Sequence, residues 1–203
     1  FHIPGNHDLG DEVLYKEKFG ELEFSFKNKS EAFININTSA LCMGKNSIFT
    51  SKLDSYAKDK NIKNIFIMMH HVLFHINNKK IHEIKRWASG SPENCANYEN
   101  EIAPKINQIA KNKNIYMFAG DVGCKDYKLG VVPVRSFPIF YHKEKDRNLY
   151  YLATGICEHL NDNYLNIEIN NGNVFIKPIS LSGQVLKNIE NYNFNFWKNH
   201  FSN

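Results

Sequence analysis

Ile65-Phe66-Ile67-Met68-Met69 is a continuous apolar run that stops at His70-His71. An unbroken run of this length, bounded by polar residues, suits a strand covered on both faces. Glu101 to Lys111 follows as a helix, with Ile102, Ile106, Ile109 and Ala110 on one face and Pro104 in its first turn. A second apolar run, Ile115-Tyr116-Met117-Phe118-Ala119, then stops at Gly120-Asp121-Val122-Gly123. Helix alternating with buried strand predicts a βαβ arrangement, a largely parallel portion of sheet and an α/β fold class. Ligands of such sheets gather beyond the carboxyl ends of the strands.

The first eight residues, Phe1-His2-Ile3-Pro4-Gly5-Asn6-His7-Asp8, show the same design. Phe1 to Pro4 reads as a buried strand, and Gly5 allows the chain to bend close to a ligand. Asn6 then offers an amide oxygen, His7 an imidazole and Asp8 a carboxylate. An Asn oxygen can ligate a cation, a His beside it can donate a proton, and an Asp can orient that His. Gly-Asn-His-Asp is also good turn chemistry, so both readings stand at this point. Three apolar strands thus end in Asn6-His7-Asp8, in His70-His71 and in Asp121, and these groups are expected to meet at one sheet edge.

Asp11 to Phe19 suits a short helix ended by Gly20. Leu22 to Phe26 alternates apolar and polar residues, and Ala32 to Asn37 returns as its hairpin partner, ending in Thr38-Ser39. Ser51 with Asp54 makes a capping-box-like helix start, with Leu53, Tyr56 and Ala57 as the buried stripe. Val72 to Asn100 is a long irregular stretch holding His75, His82, Trp87, Ser91-Pro92 and Tyr98, to which substrate selection is assigned. Val131 to Tyr141, rich in prolines and aromatics, reads as a surface loop. Leu149 to Gly155 reads as a strand, Tyr164–Ile169 and Val174–Pro178 as a hairpin about Asn170-Asn171-Gly172-Asn173, and Val185–Asn203 as a docking segment.

A chain of 203 residues fits one domain with a sizeable core. It opens on Phe1 rather than Met, with a functional-looking turn at once, and reads as the later part of a longer protein. The net charge of +4 is modest, and acids interrupt the lysines at Lys58-Asp59-Lys60 and Lys143-Glu144-Lys145. That pattern suits a solvated surface better than a nucleic-acid groove. Cys42, Cys95, Cys124 and Cys157 show no CxxC spacing, so neither a zinc ribbon nor a disulfide scaffold is expected, and the redox compartment stays open. No apolar run reaches the roughly 20 residues of a membrane helix, and localisation is not specified.

Through Gly5-Asn6-His7-Asp8, Tyr15-Lys16-Glu17-Lys18-Phe19-Gly20 with Phe24-Ser25-Phe26, Met69-His70-His71 and Tyr151-Leu152-Ala153-Thr154-Gly155, the chain resembles the calcineurin-like metallophosphoesterase superfamily, which includes the purple acid phosphatases. The resemblance implies a two-sheet α/β/β/α sandwich, of which residues 1–203 form the C-terminal two-thirds of one domain whose N-terminal part lies before Phe1. It implies phosphate-ester hydrolysis at two metal ions, of iron, manganese or zinc, in the intact protein, with these residues alone inactive. Asn6 and His70 would ligate the second metal, His7 would donate a proton to the leaving group, and Asp8 would orient His7, with His71 a neighbour. The family's Asp-x-His and Gly-Asp-x-x-Asp motifs would precede Phe1. Its closing Gly-His-x-His motif corresponds to Gly120-Asp121-Val122-Gly123, which has lost both histidines. Asp121 is expected to replace the first as a metal ligand, with simple turn capping as the alternative. Gly123 supplies no side chain, leaving Cys124, Asp126, His142 or His159 as stand-ins for the second. A degenerate binding or regulatory domain is the other functional reading.

Overall fold

The computed structural model describes residues 1–39, 42, 47–76, 78–82, 84, 91–92, 94–122, 127–129, 132–134, 139–156 and 162–201, with backbone alone at 127–129, 132–134, 198, 200 and 201. Its centre is a six-stranded mixed sheet. Strands β1 (Phe24–Asn28) and β2 (Glu31–Asn35) form the expected antiparallel hairpin, and β3 (Asn64–Met69) and β4 (Asn114–Ala119) are the two apolar runs. The short pair β5 (Tyr127–Leu129) and β6 (Val132–Val134) stands apart from this sheet. Strands β7 (Ile139–Lys143) and β8 (Leu149–Thr154) complete it in the order β1-β2-β3-β4-β8-β7. From β2 to β8 the neighbours are parallel, and both outer pairs are antiparallel. A two-stranded antiparallel sheet follows, β9 (Asn163–Asn170) with β10 (Asn173–Ser180). Its turn uses positive φ at Asn171 (54°) and Gly172 (82°), as a tight hairpin requires.

One row of side chains crosses the whole large sheet in register. Phe26, Phe33, Phe66, Tyr116 and Tyr150 pair strand to strand, with ring centroids 4.7, 4.9, 5.1 and 4.5 Å apart. Lys143 on β7 ends the row with its Nζ 5.2 Å from the Tyr150 ring centre. Stacked aromatic pairs of this kind add about 0.5–1.5 kcal/mol each beyond their buried area. An apolar cavity of about 330 Å3 lies between this face and the small sheet, lined by Phe33, Phe66 and Phe118 on one side and Leu165 and Ile167 on the other.

Alternate residues of β3 and β4, among them Ile65, Ile67, Ile115 and Met117, belong to the buried core with residues of the helices. Helix α1 (Glu12–Phe19) starts at Asp11, whose carboxylate accepts from Leu14 N at 2.9 Å, and ends at Gly20 with φ 91°. Helix α2 (Phe49–Lys58) begins earlier than Ser51 because Phe49 is fully buried and extends the Leu53–Tyr56 stripe by one turn. Ser51 therefore caps nothing, and its hydroxyl donates back to Ile48 O at 2.8 Å. A π turn, Tyr98–Ile102, runs into α3 (Ala103–Ile109), with Pro104 in the first turn of that helix.

Two further expectations need correction. Phe1 to Pro4 joins no sheet: Phe1 is 95% exposed and stacks on Phe24 and Phe26, while His2 Nδ1 meets Tyr15 OH at 2.6 Å and the His2 ring stacks on Phe19. Side-chain stacking on α1 and β1 thus places this segment where a ladder was expected. Residues 139–141 are strand β7, not loop, because pairing with β8 buries Ile139 and Phe140. The tail docks, as read from its aromatics, and it does so on this same chain: α4 (Phe194–Phe201) buries Trp197 to 3% exposure, and its indole N–H donates to Ile139 O at 2.8 Å.

Candidate functional site

The carboxyl ends of the parallel strands bring the predicted polar groups to one edge. His70 leaves β3, and its carbonyl accepts from both Gly120 N (3.0 Å) and Asp121 N (2.9 Å) as the chain leaves β4. The two strand exits are therefore locked together by backbone. Gly155, at the end of β8, lies so close to Val122 that a Cβ there would fall 1.6 Å from Val122 O, so only glycine fits. Gly5 packs on the His70 ring, where a Cβ would lie 3.1 Å from Cε1.

The turn after Gly5 closes on itself. Asp8 N donates to Gly5 O at 3.1 Å, and Gly5 N donates to Asp8 Oδ2 at 2.8 Å. Asp8 thus caps the turn, and no hydrogen bond joins it to His7, which stands exposed beside it. Its charge also reaches Tyr15, whose phenol is raised by burial first and by Asp8 second. The turn presents Asn6 Oδ1 to His70 Nε2 at 3.0 Å, joining residues 64 positions apart. Burial lowers the pKa of the His70 imidazole, opposed by the charges of Asp121 and Asp8 and assisted by those of His71 and His7. Asn6, His7, Asp8 and Asp121 thus lie around His70, with the first three reaching it on a turn that follows no strand rather than from a strand end.

Asp121 is 8% exposed, and its Oδ2 accepts from Ser91 Oγ at 3.1 Å. The same hydroxyl accepts from Val72 N at 2.7 Å. His71 points into the protein: its N–H donates to Thr38 Oγ1 at 3.0 Å, its Nδ1 meets Thr38 O at 2.5 Å, and its buried Nε2 has no hydrogen-bond partner. Ser39 Oγ donates to Pro4 O at 3.2 Å, tying the exit of β2 to the first turn. Thr38, Ser39 and Ser91 were not read as site residues. The ending of a strand in Thr38-Ser39 at the same edge is the signal that could have found two of them; Ser91, deep in an irregular stretch, left none.

Cys42 and Cys95 form a single disulfide, a pairing that their spacing in the sequence did not signal. The bond joins the segment after β2 to the segment that carries Ser91. The stretch from Val72 also differs from a substrate loop, since Val72, Leu73, Phe74, Ile76, Ile81 and Ile84 belong to the core. Its Trp87 lies outside the described residues, as do Cys124, Asp126 and His159. His142 is not at the edge: it pairs with Tyr151 of β8, three residues before that strand ends at Thr154, and lies 3.5 Å from Glu144 Oε1. Among the described residues, no three His, Cys, Asp or Glu side chains gather to hold a metal ion, and no helix is long and apolar enough to cross a membrane. Comparison with family models, curated proteins and solved structures found no match for this chain.

Proposed function

We propose that the intact protein hydrolyses phosphate esters with the aid of a dinuclear metal centre, as its resemblance to the calcineurin-like metallophosphoesterases implies. The observation that carries this reading is the meeting of Asn6 Oδ1 and His70 Nε2 at 3.0 Å beyond the carboxyl ends of parallel strands. An amide oxygen and a half-buried imidazole, its pKa lowered by burial, form a donor pair suited to iron, manganese or zinc. Asn6 and His70 would hold one metal, with Asp121 beside them as a further carboxylate. When bound, such ions lower the pKa of a coordinated water and clamp phosphoryl oxygens. His7, exposed on the turn, would give a proton to a departing alkoxide, and Asp8 caps the turn that carries it. The apolar cavity between the aromatic face and the β9–β10 hairpin supports the two-sheet sandwich that the resemblance implies.

A second reading has an observation of its own. Asp121 stands where the family has a histidine, and its carboxylate is engaged by Ser91, as a structural cap would be. That suits a binding or regulatory domain that retains the architecture without turnover. Metal analysis and hydrolysis of an aryl phosphate by full-length protein separate the two. Bound transition metal with metal-dependent turnover supports the enzyme, and metal-independent inertness supports the second reading.

A further inference from the structure

The His70-His71-Val72 turn is gripped from two sides. Thr38 holds His71 through both its hydroxyl and its carbonyl. Ser91 holds Val72 N and Asp121 Oδ2 with one hydroxyl, bridging the exits of β3 and β4. Thr38 lies four residues before Cys42 and Ser91 four residues before Cys95, so the Cys42–Cys95 bond fastens the two grips to each other. Its half-cystines are 53 positions apart, with Cα atoms 5.6 Å from each other. Cys95 is buried, while Ser91 is only partly so, and neither residue lies in a helix or strand. Local structure therefore does little to fix Ser91, and the covalent bond supplies a restraint.

We propose that Ser91 is a positioning residue for the strand-edge site and that the Cys42–Cys95 disulfide holds it there, so that reduction loosens the site. The proposal rests on the metal-dependent reading above. A hydroxyl that orients a carboxylate is an outer-shell partner of any cation at that edge, and losing such a partner costs about 10–100-fold in metal affinity. Reduction by dithiothreitol is balanced: the dithiol gives two electrons and two protons, the S–S bond becomes two thiols, and the reagent closes to its cyclic disulfide.

The test uses full-length protein with manganese as the probe, read by titration calorimetry and by amide hydrogen exchange at Val72. Ser91→Ala and reduction should each weaken manganese binding about 10–100-fold. Each should also accelerate Val72 exchange, because that N–H loses or loosens its acceptor. Ser91→Thr, which keeps a hydroxyl, should restore both, a rescue that a merely structural loss would not show. Cys42→Ser with Cys95→Ser should match reduction and rule out reagent effects. If oxidised wild type binds manganese and neither readout moves, the proposal is overturned alone. If oxidised wild type binds no manganese, the metal-dependent reading fails, and this proposal falls with it.

Discussion

The two ends of the large sheet each carry a half-buried histidine whose pKa is lowered chiefly by burial, yet the two are surrounded differently. At the far end, His142 faces Glu144, and Glu144 is clamped by Lys80 Nζ at 2.5 Å with Asn78 Nδ2 at 3.4 Å. Acid and base are matched within the cluster, as in a structural ion network. At the strand edge, His70 faces the neutral oxygen of Asn6, and the nearest opposing charges, Asp121 and Asp8, are occupied with Ser91 and Gly5. A matched network has little to offer a cation, whereas an imidazole meeting an amide oxygen amid carboxylates does. Burial alone lowers both histidines, so a lowered pKa does not mark the site; the partners do.

The comparison breaks most visibly through His7 and His70. His7→Ala in the full-length protein should cut turnover by about 10²–10⁴-fold, the usual range for a general acid, while metal content stays level. Loss of bound metal in that variant would make His7 a ligand or a prop instead. His70→Ala should weaken metal binding by about 100-fold or more, beyond the effect of an outer-shell partner. His142→Ala, at the matched end, should leave metal stoichiometry unchanged. Equal effects of the two substitutions, measured by elemental analysis and calorimetry, would erase the distinction between the ends.

Periodicity and strand-end chemistry revealed the parts of the molecule that speak locally. The apolar runs 65–69 and 115–119, the alternation of 164–169 and the turn at Asn171-Gly172 each carry their own signal, and each forms as expected. Strand β7 was hidden because it follows Pro133 and Pro138 and takes its burial from β8 and from Trp197, which come later in the chain. Phe1 to Pro4 has the composition of a strand, but stacking on Phe24 and Phe19 fixes it without a ladder. The convergence of His70 and Asp121 was legible because parallel strands deliver their ends to one edge, whereas Asn6 reaches them from a segment that joins no sheet. The hold of Thr38 and Ser91 on that edge, and the Cys42–Cys95 bond, were not, since contacts across 33, 30 and 53 positions follow from the assembled fold.

Asp121 sharpens the comparison within the edge itself. As a ligand, it should make Asp121→Ala lose about tenfold or more in metal affinity, and Asp121→His should restore binding with a shift toward zinc, because imidazole is the softer donor. As a cap held by Ser91, it should leave stoichiometry intact and lower only thermal stability. Elemental analysis beside a melting curve distinguishes the outcomes, and full occupancy in Asp121→Ala ends the ligand reading.

The smallest effect belongs to the matched end, where acid should loosen the network in two stages. Burial lowers the folded-state pKa of His142 below its ordinary 6.5, against the pull of Glu144. The unfolded chain therefore takes up that proton first, and stability present above pH 6.5 declines as pH falls toward the folded value. For Glu144, burial works to raise the pKa, but hydrogen bonding and charge from Lys80, followed by His142 and Asn78, hold it below the ordinary 4.5. Its contribution is present above pH 4.5 and is lost as pH falls through its folded value, so both groups destabilise in the same direction. Lys80 is more than half exposed, which limits the pair to about 1 kcal/mol or less. Glu144→Gln should therefore flatten the loss of stability below pH 4.5, as read by urea unfolding across pH, while metal binding at the strand edge is unchanged. A steeper acid loss in Glu144→Gln would show that Glu144 is not held ionised by its neighbours.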